Sequence, residues 1–332
     1  MDWSNKRVLI TGADGFIGSH LCEALVADGA RVRAFVYYNS WNSIGWLGDC
    51  QPETLKSIEV FAGDIRDPAR VAEACADIEY VFHLSSLIAI PYSYVAAHSY
   101  VDTNVTGALN VLEAARRSGS IERVVHTSTS EVYGTAQYVP IDEAHPLVGQ
   151  SPYSASKIGA DMMAESYFRS HGVPVSIARP FNTFGPRQTP RAVIPTIARQ
   201  LLQRCESLRL GALSPTRDFN FVTDTCAGLL AIAASDKTIG KTLNIGTGEE
   251  WSIEQTATIL MDITGHHPPI ECEEQRLRPE KSEVNRLLAN ADALRELTGW
   301  APATTFEHGL TAVANWVESH MDQLAHASDY AV

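Results

Sequence analysis

Residues Thr11 to Gly18 read T-G-A-D-G-F-I-G, with glycines at 12, 15 and 18. The run follows a short strand-like stretch, Arg7 to Thr11, and opens a helical pattern, Phe16 to Ala27, before a second strand-like stretch, Arg31 to Val36. Glycine permits positive φ and close backbone approach at such a turn. The helix behind it offers free N–H groups and a partial positive charge to a pyrophosphate. A glycine-rich turn alone says little, but between the first strand and first helix of a βαβ unit it indicates dinucleotide binding and a parallel sheet.

The rest of the first half keeps that alternation. Ile58 to Ala62, Tyr80 to Leu84 and Arg123 to Thr129 read as strands, and Val101 to Ser118 as a helix with Val101, Val105, Leu109 and Leu112 on one face. Repeated β and α units imply a sheet covered on both faces. Further on, Tyr153 to His171 is helical and Val175 to Arg179 a strand. Pro180 to Arg191 is a loop rich in Pro, Gly and Arg. Helical patterns follow at Ile194 to Cys205, Asp224 to Ser235, Ile253 to Thr264 and Phe306 to Gln323, and Thr242 to Ile245 returns as a strand to the first sheet. The expected architecture is a Rossmann-type, doubly wound α/β sheet over 1–180, with a returning segment near 220–248. A smaller, discontinuous α/β substrate domain occupies most of 181–332.

The chain of 332 residues holds 26 basic and 39 acidic side chains, a net charge of −13. That balance argues against a nucleic-acid partner, which wants a basic face. No run of about 20 apolar residues predicts a membrane span, and Met1 to Lys6 is too short and polar for a signal peptide. The expected location is the cytoplasm. The six cysteines form no C-x-x-C pair and read as reduced thiols, and no metal-ligand spacing is present, with His266 and His267 read as loop residues.

Tyr153 and Lys157 stand four apart on a predicted helix and so share a face. A free tyrosine has a pKa of about 10, too high for a base at neutral pH. A nearby ammonium and a positive nicotinamide ring both favour the phenolate. Thr129, at the end of the preceding strand, is placed to hydrogen-bond the same substrate oxygen. Glu131, two residues on, places a carboxylate beside the pair as a candidate second base.

TGADGFIG at 11–18, GDIRD at 63–67, HLSS at 83–86, NVTGALNVLEAA at 104–115, STSEVYG at 128–134, YSASK at 153–157 and RPFNTFGPR at 179–187 together resemble the extended short-chain dehydrogenase/reductases, the NAD-dependent epimerase/dehydratase family. The resemblance spans nearly the whole chain. It implies NAD+, tightly bound and regenerated each turnover, with NADP+ left open. The implied cradle is Gly12, Asp14, Gly15, Phe16, Ile17, Gly18, Tyr37, Asn39, Asp64, Ile65, Leu84, Ser85 and Asn104, together with Tyr153 and Lys157. One element departs from the pattern. An acid usually ends the second strand to hold the adenosine ribose, but here Val36-Tyr37-Tyr38-Asn39-Ser40 contains none, so Asn39 or Ser40 is expected to substitute.

The T-x-E run resembles that of nucleotide-sugar 4,6-dehydratases. Many carry Asp between the two residues as acid for the leaving hydroxyl; here Ser130 stands there, as in the GDP-mannose 4,6-dehydratases. The same T-S-E occurs in UDP-glucuronate decarboxylases, so a decarboxylase or an epimerase is the alternative, and a non-catalytic cofactor-sensing scaffold a more remote one. RAFVYYNSWNSIGWL at 33–47, SLIAIPYSY at 86–94 and RPEKSEVNRLL at 278–288 look like the GDP-N-acetylglucosamine 4,6-dehydratases of legionaminic acid biosynthesis. The substrate expected from this resemblance is a nucleotide-diphosphate sugar. It would be held by Ser86, Ile88 and Tyr92 after a strand end, and by Asn182, Arg187, Arg217 and Arg278 at the diphosphate. Asp218 and Asp224 are expected to tie loops. The resemblance also implies a homodimer, paired through the helix that carries Tyr153 and Lys157 and the helix near 101–117.

Overall fold

The computed structural model describes residues 1–276 and 283–324. Its centre is a seven-stranded sheet of β1 (Arg7–Thr11), β2 (Arg31–Tyr37), β3 (Ile58–Gly63), β4 (Tyr80–His83), β5 (Arg123–Thr127), β6 (Val175–Pro180) and β7 (Thr242–Ile245). The strand order is β7-β6-β5-β4-β1-β2-β3 and every pairing is parallel. The order reverses between β1 and β4, which opens a crevice at their carboxyl ends where ligands bind sheets of this kind.

Side chains alternate between the two faces, as a pleated strand requires. Val8 and Ile10 of β1 join a core with Leu21 and Leu25 of α1 (Phe16–Ala27) and Leu229 and Ile232 of α2 (Val222–Ala234). Leu9 faces the other way, into a core with Val111 and Leu112 of the helix Gly107–Arg117 and Ala164 of the helix Pro152–His171. Buried on both faces, the strands read as near-continuous apolar runs. Ala291, Leu294 and Trp300 also pack on the first core, so the chain returns to the sheet once more than the sequence reading allowed.

A third core lies apart, where Ile197 and Leu201 of the helix Val193–Leu202 meet Leu260 of Ile253–Thr264 and Leu310 and Val313 of Phe306–Ser319. This smaller lobe and the doubly wound sheet match the expected fold class. The continuous helix expected from Val101 to Ser118 is instead a π-helical stretch, Val101–Thr106, followed by the α-helix Gly107–Arg117. The strand expected to reach Thr129 stops at Thr127.

Candidate active site

The glycine loop lies at the β1 end of the crevice. Gly12 has φ +71°, and a Cβ there would stand 2.9 Å from the Ser85 backbone nitrogen. A Cβ on Gly18 would fall 2.1 Å from the Gly12 carbonyl oxygen. The loop therefore tolerates side chains at neither position. Thr11 Oγ1 accepts from the N–H groups of Leu84 and Ser85, both at 3.2 Å, which stitches the end of β4 to the loop. Helix α1 begins at Gly15 with no side-chain cap and no acid in its first turn. Its first N–H groups lack intrahelical partners by geometry. An uncapped helix start beside a turn with glycines at 12, 15 and 18 fits a pyrophosphate.

The helix Pro152–His171 is fixed at its start by a capping box between Ser151 and Ser154 with Pro152 in the first turn, and at its end by Gly172 in the left-handed conformation. That holds Tyr153 and Lys157 in register under the crevice, 7% and 4% exposed. Lys157 Nζ donates to the Thr127 carbonyl at 2.6 Å and to Ser86 Oγ at 3.1 Å. Burial lowers its pKa to about 8, opposed by the Asp161 carboxylate, so the ammonium loses its proton as pH rises past that value. Burial raises the Tyr153 phenol; the hydrogen bond from Thr129 works against this, and the charges of Glu131 and Asp161 reinforce it. Lys157 gives its hydrogen bonds to Thr127 and Ser86, and burial is the main influence that raises the phenol.

Thr129 caps a short 3-10 turn, Ser130–Tyr133, its hydroxyl accepting from Glu131 N–H at 3.2 Å. The turn, rather than strand alternation, brings Thr129 and Glu131 together. Ser130 is buried within it. The Tyr100 ring meets Tyr153 edge-on at 6.2 Å, and half-exposed Tyr92 packs on Tyr100 in turn, at 6.3 Å. Ile88 is exposed.

Sequence reasoning missed the buried network beneath this pair. Asp161, one helical turn after Lys157, accepts from Ser128 Oγ at 2.8 Å and from Arg179 Nη2 at 2.9 Å, and its other oxygen lies 3.3 Å from His126 Nε2. Burial alone raises this carboxyl, but His126, Arg179 and Ser128 outweigh it and hold it below the usual carboxylate range. His126 is stacked on His83, and burial pushes both imidazoles towards the neutral form. The signal was available: Asp161 repeats the four-residue spacing from Tyr153 to Lys157, and Arg179 opens the RPFN run. Arg191 was also passed over, yet its charge reaches Tyr100.

Several expected ligand residues have other partners. Arg187 forms a two-pronged pair with Glu23 of α1, at 2.6 and 3.1 Å, and also donates to the Asp49 carbonyl at 3.3 Å. It is a clasp between the loop and α1 rather than a diphosphate fork. Asn39 donates to the carbonyls of Tyr37 and Ser43 and accepts from Trp41 and Ser43 N–H, which leaves its amide no capacity for a ribose. Asn104 likewise bonds the Leu87 backbone in both directions and the Ser156 hydroxyl, so it shapes the loop after β4 from within. Ile65 is buried, and its carbonyl accepts from Asn110. Asp64 is held by Arg66 at 2.5 Å, a pairing that lowers its carboxyl.

On the substrate side, Asn182 Oδ1 is buried without a hydrogen-bond partner among the described residues. Turning the amide over presents its N–H₂ at the same place, since oxygen and nitrogen are assigned rather than observed. Arg217 is buried and pairs with Glu283 at 3.4 Å. Arg278 lies outside the described residues. Asp218 accepts from the N–H groups of Thr247, Gly248 and Ala289, and Asp224 from those of Ala303 and Thr304, so both tie loops.

A family model described as GDP-mannose 4,6 dehydratase matches residues 9–313. The low-salt glycan biosynthesis protein Agl12 of Haloferax volcanii is 33% identical over 314 residues, 93% of this chain and 97% of the relative. UDP-glucuronic acid decarboxylase 1 of Xenopus tropicalis is 29% identical, over 96% of this chain and 74% of its own. The crystal structure of DesIV, a dTDP-glucose 4,6-dehydratase from Streptomyces venezuelae with NAD and TYD bound, superposes with a TM-score of 0.84 at 28% identity, covering 96% of this chain and 98% of that one.

Proposed function

The chain belongs to the GDP-mannose 4,6-dehydratase family, and from that premise we propose that it is a nucleotide-sugar 4,6-dehydratase working with NAD(H). The observation that carries the reading is the cluster at the end of β5. There Thr129 Oγ1 accepts from the Glu131 N–H, and both Thr129 and the Glu131 charge act on the Tyr153 phenol. A single-oxidation enzyme needs the tyrosine, lysine and threonine; a carboxylate beside them adds a second base.

In this reading Tyr153 takes the proton of the sugar C4 hydroxyl while Thr129 holds that oxygen. The Lys157 ammonium supplies positive charge beneath the crevice. When bound, NAD(H) would supply the hydride acceptor for C4 and the hydride donor for C6, held by the glycine loop and the start of α1. Glu131 removes the C5 proton, acidic beside the ketone, and the C6 hydroxyl leaves as water. Ser130 is a poor acid, so Glu131 or a water protonates the departing C6 hydroxyl, and solvent returns a proton to C5 as hydride reaches C6. The sum is the loss of one water and a 4-keto-6-deoxy sugar. The uncapped start of α1 and the glycine loop hold the dinucleotide, and DesIV, of similar fold, was solved with NAD. Asn182 and Arg217, with Arg278 from outside the described residues, are the proposed diphosphate contacts.

The sugar we favour is GDP-N-acetylglucosamine, on the strength of the resembling runs at 33–47 and 278–288. Incubation with GDP-N-acetylglucosamine, UDP-N-acetylglucosamine, dTDP-glucose and UDP-glucuronate is expected to convert the first to a product lighter by one water. Conversion of another member alone moves the sugar assignment, and carbon dioxide from UDP-glucuronate supports the decarboxylase, the reading that T-S-E and the Xenopus relative favour. The proposal includes a cytoplasmic homodimer. It is supported by exposed Val95, Val101 and Met162 near the expected pairing helices, and no helix among the described residues is long and apolar enough to cross a membrane.

A further inference from the structure

Strand β2 ends at Tyr37 with no acid from Val36 through Ser40. Sheets of this kind place a carboxylate there to accept from the adenosine ribose hydroxyls. With Asn39 engaged inside its own loop, the segment Val36 to Ser40 offers no carboxylate, only the hydroxyls of Tyr37, Tyr38 and Ser40.

A carboxylate does reach the end of β2, from another element. Asp14 stands in the middle of the glycine loop, and its Oδ2 accepts from the Tyr37 N–H at 3.2 Å. The Asp14 carbonyl accepts from Trp46 N–H at 3.0 Å, so the loop after β2 is closed onto this residue. The groups that act on the Asp14 carboxyl are its burial and two backbone N–H groups, those of Tyr37 and of Asp14 itself. Among the described residues no basic side chain pairs with it. Of the arginines on β2 and just after β3, Arg33 pairs with Glu59 at 2.9 Å, Arg66 with Asp64 at 2.5 Å and Arg70 with Glu73 at 2.7 Å, while Arg31, at the far end of β2, bonds Asn5. A 2′-phosphate entering this corner therefore meets the negative charge of Asp14, and the arginines nearby are each shared with a carboxylate.

We propose that Asp14 is the specificity-determining residue of the dinucleotide site, accepting from the adenosine ribose hydroxyls and excluding a 2′-phosphate, so that the chain selects NAD over NADP. This rests on the cofactor reading above and deepens it. Asp14→Asn is nearly isosteric and keeps an oxygen for the Tyr37 N–H, so the turn is retained. Asp14→Ser, shorter but compatible with the same backbone, is the second variant.

Titration calorimetry of NAD+ and NADP+ into the full-length protein, freed of bound nucleotide, reads the effect without turnover. The wild type is expected to bind NAD+ at least ~10-fold more tightly than NADP+. Both Asp14 variants weaken NAD+ binding by about 10- to 100-fold, the range for hydrogen bonds to a charged group, and bring the ratio towards one. Ser40→Ala leaves the ratio unchanged. Asp14 variants that keep the wild-type ratio overturn the inference, as does a ratio erased by Ser40→Ala instead. In both cases the cofactor reading stands. Binding of neither nucleotide to the wild type overturns the cofactor reading and this inference with it.

Discussion

Replacing Tyr153 by Phe lowers turnover by about 10²–10⁴-fold, the usual share of a positioned acid–base group, while the protein keeps its fold. The ring is 7% exposed and packed edge-on against Tyr100, and Phe preserves that contact. What is lost is the phenolic oxygen on which Thr129 acts, with the rest of the ring's packing kept. The chain's own environment keeps the phenol protonated, since burial and the Glu131 and Asp161 charges all raise its pKa. Tyr153 thus becomes a competent base only with positive charge close by, and Lys157, four residues on along the same helix, is charged below a pH of about 8. Steady-state kinetics beside a thermal melt checks the prediction. Turnover surviving in Tyr153→Phe within a factor of a few assigns the proton transfer to another group.

Replacing Glu131 by Gln is expected to separate the two halves of the reaction. Gln keeps the backbone N–H that Thr129 Oγ1 accepts, so the 3-10 turn persists. It cannot take the C5 proton, and water loss falls by about 10²–10⁴-fold. Oxidation at C4 needs only Tyr153, Lys157 and Thr129, so it continues and stalls. Removing the Glu131 charge also withdraws one of the influences that raise the Tyr153 phenol, which favours the oxidising half further. Stopped-flow absorbance with one equivalent of nucleotide sugar is expected to show reduced nicotinamide building up without product. Unchanged dehydration in this variant leaves Glu131 as an element of the turn alone.

The sheet was legible because parallel strands buried on both faces write themselves as apolar runs. β1 and β7 and the helices Phe16–Ala27 and Ile253–Thr264 fall where the pattern puts them. The proposed catalytic group was legible as a candidate because Tyr153 and Lys157 share a helix face and Thr129 and Glu131 share a turn, all local relations. Pairings set by tertiary structure were not. Arg187 meets Glu23 across 164 positions, and no local pattern distinguishes an arginine that clasps a helix from one that awaits a phosphate. Asn39 shows the same limit at short range, since an Asn after a strand serves a ligand or its own turn equally well. Asp14 was placed at the cofactor from the glycine run, but its contact with the end of β2 required the folded loop.

The central claim is that oxidation at C4 is temporary and serves the removal of water across C5 and C6. The most direct measurement is incubation of the wild-type protein with the four nucleotide sugars in deuterium oxide, followed by mass spectrometry and NMR of the sugars. The expected product has lost one water and carries one solvent deuterium at C5, because the carbon deprotonated by Glu131 is reprotonated from solvent. Recovery of every sugar with its water retained and no deuterium at C5, or with only its C4 configuration inverted, contradicts it.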